Sequence, residues 1–516
     1  RRRRSPRTPP YPTNRPEATA SGVAATARGG WWGMAGSVAN AVFSFLLVGL
    51  ITRAVGAQGA GVIFTGVAMF TILSNTCKLG ADTGLVRFVP RDLAVDGGGS
   101  VDALLRTALL PATVAGTAAA VPLVLFPSVA TALLPQVPPD DAAALIRLFG
   151  LFLPAATVGA VLLGAARGYG TVVPFVGVEQ IGKPVLRVLI AIPVVWCAPS
   201  VPALASAWLL PSLAGSVAAW FALRRCRAQR PTPRRAAGAD VPWRAFWRFA
   251  APRAVSSVFD IGAVWVGVIL LSALATSTEA GVYTAIGRIV TAGTLVQLAV
   301  RLAVAPELSR LLAVERLAEA RALHRVSTCW TVALSWPLFG VVACFPATIL
   351  SVFGPGFTDG ALALVVLCAA SMVNVAVGNA QTVLLMAGRS CWHLTVTAVA
   401  FTVQLTVGVL VVPAWGVLGA AASWGAAIVV ENVMAAVLVR MRLGFTTVDR
   451  GYIRALAVGL AVTTVLVASR LSEGDTSSGL AVGMVLGSCV FGITLFRYRT
   501  LLRLGDLVGA LRHRAA

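Results

Sequence analysis

The chain has 516 residues, 57% of them hydrophobic and only 12% charged, with a formal net charge of +22 and a mean hydropathy of +0.83. An average soluble domain carries roughly 25% charged residues, so this composition excludes an ordinary soluble enzyme and points into a membrane. A pI near 11.3 would normally raise nucleic acid as a partner. Arginines at the ends of apolar runs already have a use, in topology and in attraction to anionic headgroups, so no nucleic acid is expected.

The eight Cys are scattered with no CxxC spacing, and the three His (His324, His393, His513) form no HExxH or paired motif. Neither a disulfide framework nor a metal centre is expected.

In chain order, residues 1–28 are rich in Arg, Pro and Thr without apolar periodicity and are expected to be a disordered basic tail. The first apolar run, near 29–55, is too long for a signal-peptide core and is followed by many more, so it is expected to stay as a helix. Further membrane-length runs follow near 60–86, 104–127, 143–165, 171–197, 201–223, 250–275, 280–305, 328–351, 360–386, 391–412, 416–439, 453–470 and 478–496, giving about fourteen transmembrane helices in an all-α polytopic fold. The run with Pro174, Pro184 and Pro193 is expected to be kinked. Of the 40 Arg, 33 fall in tails and alternate loops that share a side and three in the opposite loops. The positive-inside rule then makes the rich side cytoplasmic and places both termini there, in an inner (plasma) membrane. The opposite loops are too short to hold a folded domain.

Matches within the chain recur at offsets of 220, 222 and 216 residues: Ala60-Gly61-Val62 with Ala280-Gly281-Val282, Leu162-Leu163-x-x-x-Arg167 with Leu384-Leu385-x-x-x-Arg389, and Ala205-Ser206-Ala207-Trp208 with Ala421-Ala422-Ser423-Trp424. They divide the chain into a six-helix N-lobe (29–223), a basic linker (224–249), a six-helix C-lobe (250–440), helices 13–14 (441–497) and a basic tail (498–516). An even number of helices per repeat makes the lobes parallel, related by a pseudo-two-fold axis along the membrane normal, as in alternating-access transporters. Trp243 and Trp247 among the linker arginines suggest an amphipathic stretch lying at the headgroups.

Three stretches resemble the polysaccharide and O-antigen flippases of the multidrug/oligosaccharidyl-lipid/polysaccharide exporter superfamily. The first is residues 51–91, with Arg53, a Gly turn, and Gly80, Asp82, Gly84 and Arg87 near its end. The second is residues 280–313, with a Gly-x-Tyr start and a Pro-x-x-x-Arg exit; the third combines Phe-Gly-x-x-Phe, Leu-x-x-x-Gly-Arg and Pro-x-x-Gly-x-x-Gly-Ala-Ala within 353–421. The resemblance implies a flippase, not an enzyme, moving a polyprenyl-diphosphate-linked oligosaccharide from the inner to the outer leaflet by alternating access. It also implies partners: membrane lipid, the glycan substrate, and a glycan polymerase or other polysaccharide-assembly proteins, around a monomer. No cofactor is expected beyond H⁺ or Na⁺ as a coupling ion.

Moving a diphosphate through hydrocarbon calls for fixed cations, and Arg binds phosphate oxygens bidentately at any accessible pH. Charges at membrane depth are costly and therefore candidates for function. Arg187, Arg253, Arg288 and Arg301, with Arg53 near a helix end and Lys183, are the candidate substrate-binding residues. Structural ion pairing or snorkelling stands as the other reading of each. Glu179, Lys183 and Arg187 recur every four residues and share a helix face, as a self-neutralising ladder or as a cavity stripe. Asp260, Glu431 and Glu179 are the candidate ion-coupling acids. Asn40, Asn75, Gln297, Asn374, Asn379, Gln381 and Gln404 supply amides for sugars or, more ordinarily, for interhelical bonds. Asp82 and Arg87 are expected to pair. A multidrug cation antiporter of the same superfamily, a membrane glycosyltransferase or glycan polymerase, and a non-transporting scaffold are the competing functions. The excess of intramembrane Arg favours an anionic substrate over a cationic drug.

Overall fold

The structure, a computed structural model, describes residues 16–95, 101–229, 243–386 and 390–498. Every long element among them is helical: α1 (Pro16–Cys77), α2 (Ala81–Val95), α3 (Val101–Leu125), α4 (Ser128–Thr131), α5 (Pro139–Gly168), α6 (Val173–Phe175), a π-helical turn (Val176–Gly182), α7 (Lys183–Cys197), α8 (Val201–Gln229) and α9 (Trp243–Leu274). After these come α10 (Ser277–Gly293), α11 (Leu295–Ala313), α12 (Leu317–Cys344), α13 (Pro346–Leu350), α14 (Ala361–Val377), α15 (Ala380–Met386), α16 (Ser390–Leu443), α17 (Arg450–Glu473) and α18 (Ser477–Tyr498). In hydrocarbon every backbone N–H and C=O must be satisfied within its own segment, which leaves the helix as the form these apolar runs can take.

Among the described residues, 11 helices are long and apolar enough to cross a membrane, or 12 if the bent pair Ser277–Gly293 and Leu295–Arg301 is one span. Two helices exceed a single crossing. The 62 residues of α1 would run about 90 Å at 1.5 Å per residue, against a hydrocarbon core of about 30 Å. The break falls at Gly56 (φ 68°), and α16 breaks in the same way at Gly416 (φ 48°), a backbone region open to glycine and strained for other residues. The expected fourteen crossings count each half of these two helices separately.

Local departures from expectation have local causes. Helix α1 begins at Pro16, inside the stretch expected to lack structure, where Pro at the first turn is followed by Ala-rich helix formers. Trp243 and Trp247 belong to α9 itself, not to a separate surface stretch: Phe246 is fully buried because Gly84 of α2 leaves room for its ring. The central part of the linker, 230–242, and the tail beyond 498 lie outside the described residues. The proline-rich run carries a π-helical turn between Pro174 and Pro184.

The first repeat motif explains how the halves meet. A Cβ on Gly61 would sit 1.6 Å from Ser277 O and 2.9 Å from Gly281 N; one on Gly281 would sit 2.2 Å from Ala57 O and 3.0 Å from Gly61 N. Gly61 and Gly281 are the same position of the two repeats, as are Ala57 and Ser277. Mutual contact between equivalent residues is what a local two-fold axis requires, and glycine is what lets the two backbones touch. In the turn after α1, Gly80 also comes close to α9, where a Cβ would lie 2.3 Å from Ala250 O. Helices α17 and α18 pack on one another and against α12, as an addition to the second half.

Candidate functional site

Between the Gly61 and Gly80 contacts, one face of α1 and the turn after it borders a cavity. Phe64, Val67, Thr71, Asn75 and Lys78 follow at helical spacing along it, and all line a cavity of about 470 Å³. Helices α5, α7 and α8 close most of the remaining wall, and the second half contributes Trp265 of α9 and Arg288 of α10.

Five cations line the cavity, Lys78, Arg167, Lys183, Arg187 and Arg288, against two acids, Asp82 and Glu179, leaving three positive charges in excess. Each is set by a local feature of the sequence. The four-residue stripe on α7 and the turn before it faces inward: Lys183 Nζ bonds Glu179 Oε2 at 2.7 Å, and its stem lies in a notch made by Gly215 of α8. Lys183 is 6% exposed. One turn on, Arg187 lines the same cavity as Glu179 but makes no salt bridge to it. Its guanidinium stacks over the Trp208 ring at 3.8 Å and its Nε donates to Trp208 O at 3.1 Å. Arg288 lies over Trp265 at 5.3 Å and lines the same cavity as Arg187. Neither arginine has a carboxylate within salt-bridge distance among the described residues. A guanidinium held flat on an indole is positioned and partly desolvated without being neutralised, which leaves its charge available to an anion.

At the other end of the cavity, Asp82 bonds Lys78 at 3.3 Å and Arg167 at 3.4 Å. This replaces the pairing with Arg87 expected from proximity in sequence. Arg87 instead lies over the Phe249 ring at 4.3 Å, because the break at Leu79 and Gly80 (φ 53° and 70°) turns Asp82 back toward Lys78.

The other sequence candidates lie elsewhere. Arg53 is near the kink of α1 and donates from Nε to Val352 O at 2.9 Å, a tie between the two halves. Arg253 and Arg301 are exposed and do not line the cavity. They belong to a second polar group in the later half, where Arg253 and His393 lie within electrostatic reach of Asp260, and Gln381, Arg301 and Asp260 within reach of Glu431. Of the amides, Asn40 and Asn75 line the cavity, while Gln297 and Asn374 bond each other at 3.2–3.3 Å and Gln404 donates to Ala263 O at 2.9 Å. The cavity thus gathers Arg187, Arg288, Lys183 and Glu179 and leaves out Arg53, Arg253, Arg301, Asp260 and Glu431. Lys78, Arg167, Trp208 and Trp265 were not singled out from sequence. Arg167 and Trp208 each sit in a repeat motif, which was the signal available for them. Among the described residues no group of three or more His, Cys, Asp or Glu could hold a metal ion.

No family model matches the chain. No curated protein matches it in sequence. Solved structures do. The chain is similar to the lipid II flippase MurJ in an inward closed conformation, with TM-score 0.73 at 11% identity over 90% of this chain and 98% of that one. It is similar to an inward-facing multidrug resistance MATE family transporter of the MOP superfamily, with TM-score 0.65 at 13% identity over 78% and 94%. A MOP superfamily transporter from Pyrococcus furiosus, described as having a binding pocket of reverse polarity, gives TM-score 0.59 at 16% identity over 81% and 95%. The likeness is one of fold: an all-helical polytopic membrane protein built like the transporters of that superfamily.

Proposed function

We propose that this chain is a flippase that passes a polyprenyl-diphosphate-linked oligosaccharide from the inner to the outer leaflet by alternating access, for export of a cell-surface polysaccharide. One observation carries the reading: Arg187 and Arg288, one from each half, face the same cavity on indole supports and make no salt bridge among the described residues. The diphosphate would bridge the two guanidinium groups, while Asn40, Asn75 and nearby hydroxyls meet the sugar and the lipid tail stays in the bilayer. A cation antiporter on the same fold is the competing reading, and the net positive lining disfavours a cationic cargo. Coupling to H⁺ or Na⁺ would fall to Asp260 and Glu431, in the polar group of the second half. The termini and the Arg-rich loops are assigned to the cytoplasmic side of an inner membrane.

The test is leaflet exposure of a fluorescent polyprenyl-diphosphate sugar in proteoliposomes. Protein-dependent transfer of the anionic lipid, without transfer of a lipophilic cation, is expected. Transfer of the cation alone would establish the antiporter, and transfer of neither would leave a scaffold or an enzyme.

A further inference from the structure

The flippase reading leaves Lys78 and Arg167 without a task, and their geometry supplies one. Arg187 lies on Trp208, whose ring meets that of Phe70 at 5.6 Å. Lys78, directly after α1, is eight residues beyond Phe70, about 12 Å at 1.5 Å per residue. The cavity therefore presents cations at two levels, with Thr71, Ser74 and Asn75 between them.

At the second level a single oxygen serves two cations. Asp82 Oδ2 lies 3.3 Å from Lys78 Nζ and 3.4 Å from Arg167 Nη2. Charge-assisted pairs close to about 2.7–2.9 Å, and Lys183 and Glu179 do so in the same cavity at 2.7 Å. The carboxylate, which also accepts from Thr83 Oγ1, is shared between the two cations and leaves one positive charge in excess. Arg167 Nε is buried with no hydrogen-bond partner, and the guanidinium is held over the Phe175 ring at 4.6 Å. Gly164, one turn before Arg167, brings α5 so close that a Cβ there would lie 2.6 Å from Asp82 Cα. A guanidinium held on an aromatic ring, beside a lysine and lining a cavity, is a receptor for a carboxylate.

Resting on the flippase reading, we propose that Lys78 and Arg167 form a second anion subsite that binds a carboxylate on the sugar portion of the substrate, displacing Asp82, so that the cargo is a lipid-diphosphate glycan with an acidic sugar among its first residues. Asp82 is the resident counter-anion: it keeps the two cations in place while the cavity is empty and gives way because its bonds are long. The diphosphate at Arg187 and Arg288 sets one end of the substrate, and the carboxylate sets the register of the glycan against α1.

The experiment measures binding to the full chain in detergent by calorimetry. It uses pyrophosphate, farnesyl diphosphate carrying a neutral glucose disaccharide, and the same lipid carrying a disaccharide that ends in glucuronate. The glucuronate ligand is expected to bind about tenfold tighter than the neutral one, the worth of one charge-assisted hydrogen bond. In Lys78→Gln and in Arg167→Gln that ratio should fall to about one. Equal affinity of the two glycolipids for the unmodified chain would overturn the proposal, and needs no variant to fold. A ratio that survives both substitutions would overturn it as well. If pyrophosphate and both glycolipids all fail to bind, the flippase reading falls with it, whereas equal, measurable binding of the two glycolipids removes the acidic-sugar subsite alone.

Discussion

Asn40 lines the cavity, and the residue 220 positions on is Asp260, exposed and outside it, near Arg253 and His393. Trp208 supports Arg187, whereas its repeat partner Trp424 packs edge-on against the fully buried ring of Tyr283, 6.1 Å away. The positions that hold the backbone together, Gly61 and Gly281, stayed the same in both copies. Positions paired by the 220-residue offset thus share the backbone contact at Gly61 and Gly281 but differ in their polar side chains. The chamber, lined mostly by the first half, has surplus positive charge, and the second half holds an exposed group in which acids and bases are mixed. In the proposed mechanism this divides the labour between cargo and coupling ion.

That comparison can be broken at its most rigid point. Gly61→Val places side-chain atoms where Ser277 O already lies, so thermal unfolding in detergent should drop by about 3 kcal/mol or more, beyond ordinary overpacking. Gly281→Val should cost a similar amount, with the double variant far from additive because both act on one contact. Independent, additive losses would argue against the reciprocal seam. Next in size is Trp208→Leu. Removing the indole beneath Arg187 should weaken pyrophosphate binding about 3- to 30-fold, whereas Trp424→Leu, with no cation on its ring, should alter stability but not that affinity. Asp260→Asn should abolish the response of transport to an imposed pH or Na⁺ gradient while changing the ungraded rate by about threefold or less, which a flux assay with and without the gradient reads directly. The smallest effect is expected from Arg53→Ala, a loss of about 1 kcal/mol in unfolding free energy from its single bond to Val352 O.

Much of the frame was legible in the sequence. Apolar runs of membrane length gave the helices, and the offset of 220 residues gave two copies whose shared Gly61 and Gly281 do meet. The α7 stripe was legible as a shared face, since spacing by four fixes which side chains align. What spacing cannot fix is the rotation of that face about the helix axis, so it could not separate Arg187 and Arg288, which face the cavity, from Arg253 and Arg301, which do not. Lys78 and Arg167 were overlooked for a different reason. Near the end of an apolar run, a basic residue is already accounted for by topology. The break at Leu79 and Gly80, with the close approach at Gly164, turns these two toward Asp82 and the cavity, and each depends on contacts between helices distant in sequence. Asp82 and Arg87 were matched on sequence distance, and the same break parts them.

The central claim is that anionic cargo crosses through the cation-lined chamber that Arg187 and Arg288 share and not along the polar group of the second half. The most direct measurement compares two double variants for transfer of a fluorescent polyprenyl-diphosphate sugar between leaflets of proteoliposomes. Arg187→Gln with Arg288→Gln should slow transfer about 100-fold, as expected from losing two charge-assisted contacts. Arg253→Gln with Arg301→Gln should retain at least about ten times more activity than that pair. The reverse order would contradict the account.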